Sequence, residues 1–280
     1  FDLIGITMLT PMYAKAKETV KIAKQFSKAK IIVGGPHVTI MPIETLKDIP
    51  EIDIGMVGEG EITIIELLDA LEKKESLSKI KGIIYRKGEK IIINNFREPI
   101  KNLDDVPMPA RDLLPMKRYV PAPTYYKRLP SYIILTSRGC PYRCVYCSKI
   151  FGNLYRHHSV DRVIKEMKLL INKYKAREII FRDDTFTINK KYVEELCKKI
   201  IKEGINKKIQ WTCMTRVNLV DYPLLKLMRK AGCWSIHYGI ETGSQRLLNL
   251  IQKDVTIEQC KNTIRWTSKA GIETKAFFMI

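Results

Sequence analysis

Along most of its length the chain alternates short β-branched runs with stretches of helical period, and this rhythm limits the fold more than any other feature. In the second half, strand-like runs are predicted at 132–136, 178–182, 209–213, 234–238 and 274–280. Helical patterns lie between them. Val163, Ile164, Met167, Leu170, Ile171 and Tyr174 mark one apolar face, and a second helix starts near Asn189. Asp221 caps a third, with Pro223 in its first turn and Gly232 just past its end. Two more follow, the later one opened by the capping box Thr256 to Gln259. Strand–helix units of this length predict a parallel sheet closing into a barrel. The first half has the same rhythm: strands at 3–8, 30–33 and 52–57, with helices at 16–28 and 62–73 and a short one after Gly34-Gly35-Pro36-His37. A doubly wound sheet is expected there. Residues 82–94 read as a hairpin turning at Lys87-Gly88, and Pro99, Pro107, Pro109, Pro115, Pro121 and Pro123 follow without helical periodicity. The predicted organisation is a first domain over 1–78, a hairpin and proline-rich linker over 79–130, and a second domain over 131–280. The 280 residues suit two domains at about 150 residues each.

Four of the seven cysteines, Cys197, Cys213, Cys233 and Cys260, fall in helix stripes or β-like runs and read as core. Cys140, Cys144 and Cys147 differ. They lie within eight residues on a Gly/Pro-containing loop straight after a strand, so their thiolates can converge on one metal centre. A structural zinc needs a fourth ligand, which His157 or His158 could supply, since no second Cys pair exists. A 4Fe-4S cluster normally takes four cysteines, and three leave one iron open for a substrate or cofactor. Asp183-Asp184, Arg216 and Glu241-Thr242 also fall at strand ends, where barrels of this kind carry their catalytic groups.

The C-x3-C-x2-C spacing, with Tyr146 just before the last Cys, resembles the signature of the radical S-adenosylmethionine (SAM) enzymes. The resemblance implies that Cys140, Cys144 and Cys147 ligate a 4Fe-4S cluster whose open iron chelates the amino and carboxylate groups of SAM. The reduced cluster would cleave SAM to a 5′-deoxyadenosyl radical that abstracts a substrate hydrogen. Phe181-Arg182-Asp183-Asp184-Thr185-Phe186 is similar to the F-x-D-D-x-F motif of cobalamin-linked members. By that resemblance Tyr146, Asp183, Asp184, Arg216 and Glu241 contact SAM: the acidic pair its amino group, Arg216 its carboxylate, Glu241 its ribose or methionine moiety. As residues alone, the acidic pair also suits a capped loop, and Arg216 and Glu241 a structural ion pair. His158 stands where the family's Y-R-x-R-S pattern has Arg.

The pairing of Gly34-Gly35-Pro36-His37 with Gly58-Glu59-Gly60-Glu61 resembles the cobalamin-binding domain of the same enzymes. It implies that Gly34, Gly35, Gly58 and Glu59 line a cobalamin pocket; as residues alone they equally suit tight turns. The family's D-x-H-x-x-G motif is not in this sequence, and His37 reads as a loop residue rather than a cobalt ligand. The resemblance thus implies an α/β chain: a truncated Rossmann-like cobalamin-binding domain followed by a partial (β/α) TIM-like radical SAM barrel. Cobalamin-dependent methyl transfer to an unactivated carbon is the implied activity. A radical SAM oxidoreductase or cyclase without net methylation is the alternative.

Charge narrows the partners. The chain carries 49 Lys+Arg against 30 Asp+Glu, a net +19, yet the lysines are spread along helix faces and no block of five basic residues exists. Nucleic acid is therefore a weak expectation, although a zinc or nucleic-acid-binding module stays open as a reading of another class. An acidic electron donor such as flavodoxin or ferredoxin fits the charge, and the expected substrate is a small or lipid-like molecule. No apolar run reaches the ~18 residues of a membrane span and no signal peptide is visible, so a cytoplasmic setting is expected.

Overall fold

The computed structural model describes residues 2–280. It divides into two compact units: residues up to Lys101 together with Ser148–Phe151, and Asn102–Cys147 together with Gly152–Ile280.

The first unit runs β1 (Leu3–Thr7), α1 (Tyr13–Phe26), β2 (Lys30–Gly34), α2 (Pro36–Ile40), α3 (Pro42–Asp48), β3 (Ile54–Met56), α4 (Glu61–Glu72), β4 (Ile83–Lys87) and β5 (Lys90–Ile93). Successive side chains of a strand point to opposite faces, so the run Ile31-Ile32-Val33 in β2 can be buried only if both faces are covered. They are. Ile31 and Val33 join a core with Val20, Val38 and Leu46, while Ile32 joins a second one with Ile54, Leu67 and Ala70. Strands β1, β2 and β3 are parallel, as the doubly wound pattern requires.

Two readings are corrected here. The hairpin expected to open the linker is part of this sheet: β4 pairs antiparallel with β3, and β5 with β4, so the sheet runs to Ile93, beyond the predicted boundary at 78. Ile83 and Ile84, buried at 1% and 0% exposure, cover the two faces, which a free hairpin could not do. His37 is not a loop residue but lies in α2, buried against the Tyr13 ring at 4.4 Å, with its Nδ1 3.1 Å from Thr10 Oγ1.

The second unit runs β6 (Ser131–Ile134), the two-residue strands β7 (Ser137–Arg138) and β8 (Arg156–His157), α5 (Val160–Tyr174), β9 (Glu178–Phe181), α6 (Lys190–Lys202), β10 (Gln210–Thr215), α7 (Tyr222–Lys230), β11 (Cys233–Glu241), α8 (Gln245–Leu250), α9 (Ile257–Lys269) and β12 (Glu273–Phe278). The sheet order β6-β9-β10-β11-β12 is parallel throughout. Among the described residues it is an open five-stranded half-barrel. Trp211, Cys213, Ile236 and Tyr238 face the helices in one continuous core with Leu196, Leu225 and Met228. Cys197, Cys233 and Cys260 lie in the same core. The predicted caps form: Asp221 accepts a hydrogen bond from Leu224 N at 2.9 Å, and Thr256 and Gln259 close a reciprocal box at the start of α9.

The proline-rich segment is not a free linker. From Asn102 onward it belongs to the second unit and folds as short 3-10 turns, including Leu103–Asp105 and Arg111–Leu113. Leu103 is buried, and Arg111 donates to Glu166 Oε1 of α5 at 2.6 Å with both side chains buried. Asp104 accepts from Ser159 N at 3.0 Å and lies 3.1 Å from His158 Nδ1, so His158 fastens this segment to the start of α5. Prolines hide such a segment from periodicity, because each turn is only three residues long.

Candidate active site

The C-terminal ends of β6, β9, β10 and β11 carry loops that meet around a cavity of about 360 Å³. It is lined by Cys140, Cys144 and Cys147 from the loop after β7, and by Asp184, Arg216, Glu241 and Tyr146. The fold thus brings seven of the expected site residues together in one cavity, within a single unit. Met214, His237, Gly239 and Lys253 are also in the lining and had not been singled out.

The cysteine loop is held at several points. β7 pairs antiparallel with β8 and closes the base of the loop. Cys140 N donates to Gly152 O at 3.1 Å, Cys147 N to Cys144 O at 3.2 Å, and Val145 N to Ile251 O at 3.1 Å. All three thiols are free; Cys144 is buried and Cys147 exposed. Arg216 Nη1 lies 3.3 Å from Cys144 Sγ, and its guanidinium stacks 3.7 Å above the Tyr142 ring, placing a buried positive charge beside the sulfur. A mononuclear site would bring three donors within about 3.8 Å of one another, given metal–sulfur bonds of about 2.3 Å. Among the described residues no three His, Cys, Asp or Glu side chains are grouped so that they could hold a metal ion. Three free thiols that line one cavity suit a polynuclear iron–sulfur cluster, in which each sulfur holds a different iron.

Glu241 ends β11 with a left-handed backbone, φ +67°, a conformation a non-glycine residue keeps only when its surroundings enforce it. Here they do. Its Oε1 accepts from Lys253 Nζ at 2.6 Å and from Tyr146 OH at 2.8 Å, and Lys253 Nζ also lies 3.0 Å from the Tyr146 oxygen. Burial and the hydrogen bond to Glu241 raise the Tyr146 phenol far above its ordinary range, so it remains a donor. Lys253 and Glu241 are both buried, and Arg216 Nη2 donates to the Lys253 carbonyl. The cysteine loop, the end of β11 and the turn after α8 are therefore tied by one polar cluster. Gly239 leaves the room it needs: a Cβ there would overlap Glu241 Oε1 and stand 2.7 Å from Lys253 Nζ.

The two aspartates part company. Asp184 lines the cavity, and burial raises its pKa above the ordinary value. Asp183 is turned inward: its Oδ1 accepts from Ser137 Oγ at 2.6 Å and Thr136 Oγ1 at 2.8 Å, tying the start of the cysteine loop to the end of β9. Complete burial pushes its pKa up to about 6, against the opposing effect of those hydroxyls.

In the first unit, Gly34 and Gly35 line a cavity of about 250 Å³ with Gly5, Thr7 and Met56. Gly35, at φ +98°, has no room for a side chain: a Cβ would lie 2.8 Å from Thr7 Oγ1 and 3.1 Å from the Met8 carbonyl. Gly58 N donates to Thr39 Oγ1 at 3.1 Å, and Glu59 Oε2 accepts from Ile100 N at 3.0 Å. The structure does not bring Gly58 or Glu59 into the cavity of Gly34 and Gly35, whose other lining residues are Gly5, Thr7 and apolar residues such as Ile32, Val33 and Met56.

A parallel half-barrel that presents thiols, carboxylates and cations to one cavity at its strand ends is an enzyme domain of the cofactor-dependent kind. Residues 134–280, over half of the chain, match the Radical SAM superfamily, and residues 1–68 match the B12 binding domain. The chain belongs to the Radical SAM superfamily, in the group that carries a cobalamin-binding domain ahead of the radical SAM domain. An uncharacterised methyltransferase of Pyrococcus horikoshii is 39% identical over all of this chain and 60% of its own length. The anaerobic magnesium-protoporphyrin IX monomethyl ester cyclase of Cereibacter sphaeroides is 32% identical over all of this chain and 46% of its own. The chain thus spans about half the length of these curated relatives. In fold it matches the cobalamin-dependent radical SAM enzyme OxsB, with TM-score 0.82, 22% identity and 99% of this chain covered against 41% of that one. The radical SAM methyltransferase TsrM from Kitasatospora setae, solved with cobalamin and a 4Fe-4S cluster, gives TM-score 0.80 at 18% identity, covering 98% and 56%. No helix among the described residues is long and apolar enough to cross a membrane.

Proposed function

We propose that this chain forms the cobalamin-binding and radical-generating part of a radical SAM methyltransferase acting on an unactivated carbon. The observation that carries the reading is the single cavity joining the thiols of Cys140, Cys144 and Cys147 to Asp184, Arg216 and Glu241. When bound, the cofactors supply one-electron cleavage of SAM at a 4Fe-4S cluster and methyl delivery from cobalamin. The protein's share is binding, orientation and exclusion of water. Cys140, Cys144 and Cys147 hold the cluster and leave one coordination position for SAM. Arg216, already beside Cys144, offers its charge to the SAM carboxylate, and Asp184 accepts from the amino group. Tyr146 and Glu241, braced by Lys253, orient the remainder of SAM. Asp183 is a positioning residue, because its hydrogen bonds go to Thr136 and Ser137. In the first unit, Gly34 and Gly35 offer a side-chain-free wall to cobalamin, with Gly58 and Glu59 at the next strand end.

A second reading, oxidation or cyclisation without net methylation, is favoured by the 32% identity to the magnesium-protoporphyrin cyclase. Product analysis of the full-length protein decides between them. S-adenosylhomocysteine formed alongside 5′-deoxyadenosine is expected for methyl transfer, and 5′-deoxyadenosine alone would favour the second reading. An acidic flavodoxin or ferredoxin in the cytoplasm is the proposed electron donor, matched to the net charge of +19. Reduction by such a donor is expected to slow as salt rises from 50 to 500 mM, roughly tenfold or more. A salt-insensitive rate would remove this partner.

A further inference from the structure

The strand wall of the active-site cavity holds groups that the reading above does not use. In β10 and β11 alternate residues face the helices, which leaves Thr212, Met214, Ser235 and His237 on the opposite, inner face. Buried polar atoms without a hydrogen-bond partner concentrate there: Thr212 Oγ1, Ser235 Oγ and both ring nitrogens of His237. His237 is 1% exposed, lines the cavity, and stands between the rings of Tyr125 at 5.4 Å and Phe277 at 6.0 Å. A buried imidazole with neither nitrogen satisfied is a costly arrangement that a ligand would relieve.

Its charged neighbours have one sign. Lys275 is the register partner of His237 on β12, and Arg182 leaves the end of β9. Both are half-buried over the same Tyr125 ring, the Arg182 guanidinium at 4.2 Å and Lys275 Nζ at 5.5 Å. The Arg182 guanidinium lies 3.1 Å from the Met214 thioether. Among the described residues neither cation has a carboxylate partner within ion-pair distance. The two acids that act on Lys275 are engaged elsewhere. Glu178 accepts from Trp234 Nε1, Gln210 Nε2 and the backbone of Lys127 and Arg128 at 2.9–3.0 Å, and Glu273 pairs with Lys127. Burial together with these two cations pushes the His237 imidazole down to about 4, so at neutral pH it is uncharged, with one N–H to donate. Burial also lowers the pKa of Lys275.

We propose that Arg182, Lys275 and His237 form an anion subsite on the strand wall, which binds a carboxylate or phosphate group of the small-molecule substrate and fixes that substrate beside the cluster loop. The inference deepens the proposed function and rests on it, in that the occupant is taken to be the substrate of this same cavity. Two half-buried cations supply the charge, the neutral imidazole supplies a directed hydrogen bond, and the flanking aromatic rings keep water from competing.

Benzoate, phenyl phosphate and neutral benzamide serve as probes, titrated calorimetrically into the whole chain at fixed ionic strength, with and without SAM, before and after anaerobic reconstitution with iron and sulfide. One of the two anions is expected to bind at a single site at least tenfold tighter than benzamide, with SAM present. The tighter of the two identifies the group as carboxylate or phosphate. Lys275→Met and Arg182→Gln are expected to weaken that anion at least tenfold and leave benzamide unchanged. Benzamide binding as tightly as the anions would overturn the subsite without any variant, and unchanged anion binding in both variants would do the same. Displacement of the anion by SAM would also overturn it, by assigning the cations to SAM itself. A cluster that forms without any anion preference removes the subsite alone, whereas anion binding in a chain that forms no cluster removes the radical reading and leaves the anion site.

Discussion

Lys253 illustrates what a single position contributes and why sequence reading passes over it. It stands alone in the turn after α8, outside any motif, and only the fold brings it to Glu241, twelve residues back, and to Tyr146 on the cysteine loop. Lys253→Met strands a buried carboxylate, and removing one partner of such a pair costs about 3–5 kcal/mol. The melting temperature is expected to drop accordingly, and SAM affinity with it. Gly239→Ala is expected to weaken SAM binding too, since the added methyl overlaps Glu241 Oε1. Wild-type affinity in that variant would dissociate the polar cluster from SAM. Asp183 makes a pH statement. Its folded value of about 6 lies above the ordinary 3.8, so the folded protein binds the proton more tightly than the unfolded chain. Its contribution to stability is therefore full below the ordinary value and is lost as pH rises through about 6. Asp183→Asn keeps an oxygen for Thr136 and Ser137 without the charge, so the difference in melting temperature, variant minus wild type, is expected to grow between pH 4 and 7. A constant difference would mean that Asp183 does not titrate there.

At the level of elements, patterns with a physical period were legible. The helix stripes, the Asp221 and Thr256 caps and all five strands of the half-barrel came from spacing alone, because burial against one sheet imposes it. Boundaries moved where tertiary contacts extend a strand: β11 runs to Glu241, three residues beyond the expected end, because β12 pairs with it as far as that residue. The hairpin and the proline-rich segment were misplaced for a different reason. A hairpin has the same local pattern whether it is free or joined to a sheet edge, and turns of three residues carry no period. The segment's anchoring lies in pairs such as Arg111 with Glu166, 55 residues apart. Arg111→Ala leaves Glu166 buried at 5% exposure beside Arg162 alone, 3.6 Å away. A loss of about 3 kcal/mol in unfolding free energy is expected from denaturant melts. A loss below about 0.5 kcal/mol would mean that the segment is a dispensable linker after all.

For the whole molecule, the three cysteines carried more information than the net charge. Their spacing resembles the signature of a family built on a barrel of parallel strands, and the strand rhythm predicted such a sheet independently. What spacing could not supply was direction: Asp183 and Asp184 are neighbours in sequence, yet one fastens the loop and the other faces the cavity. Nor could it find the inner-face cations Arg182 and Lys275, which lie 93 residues apart and share no motif. The most direct measurement is anaerobic reconstitution of the whole chain with iron and sulfide, followed by iron analysis and electron paramagnetic resonance of the reduced protein. About four irons per chain and a 4Fe-4S signal that shifts on adding SAM are expected for the wild type and for Cys197→Ala, and both are expected to be lost in Cys140→Ala, Cys144→Ala and Cys147→Ala. A wild-type chain that takes up no cluster, or a Cys144→Ala chain that keeps all of it, would contradict the assignment.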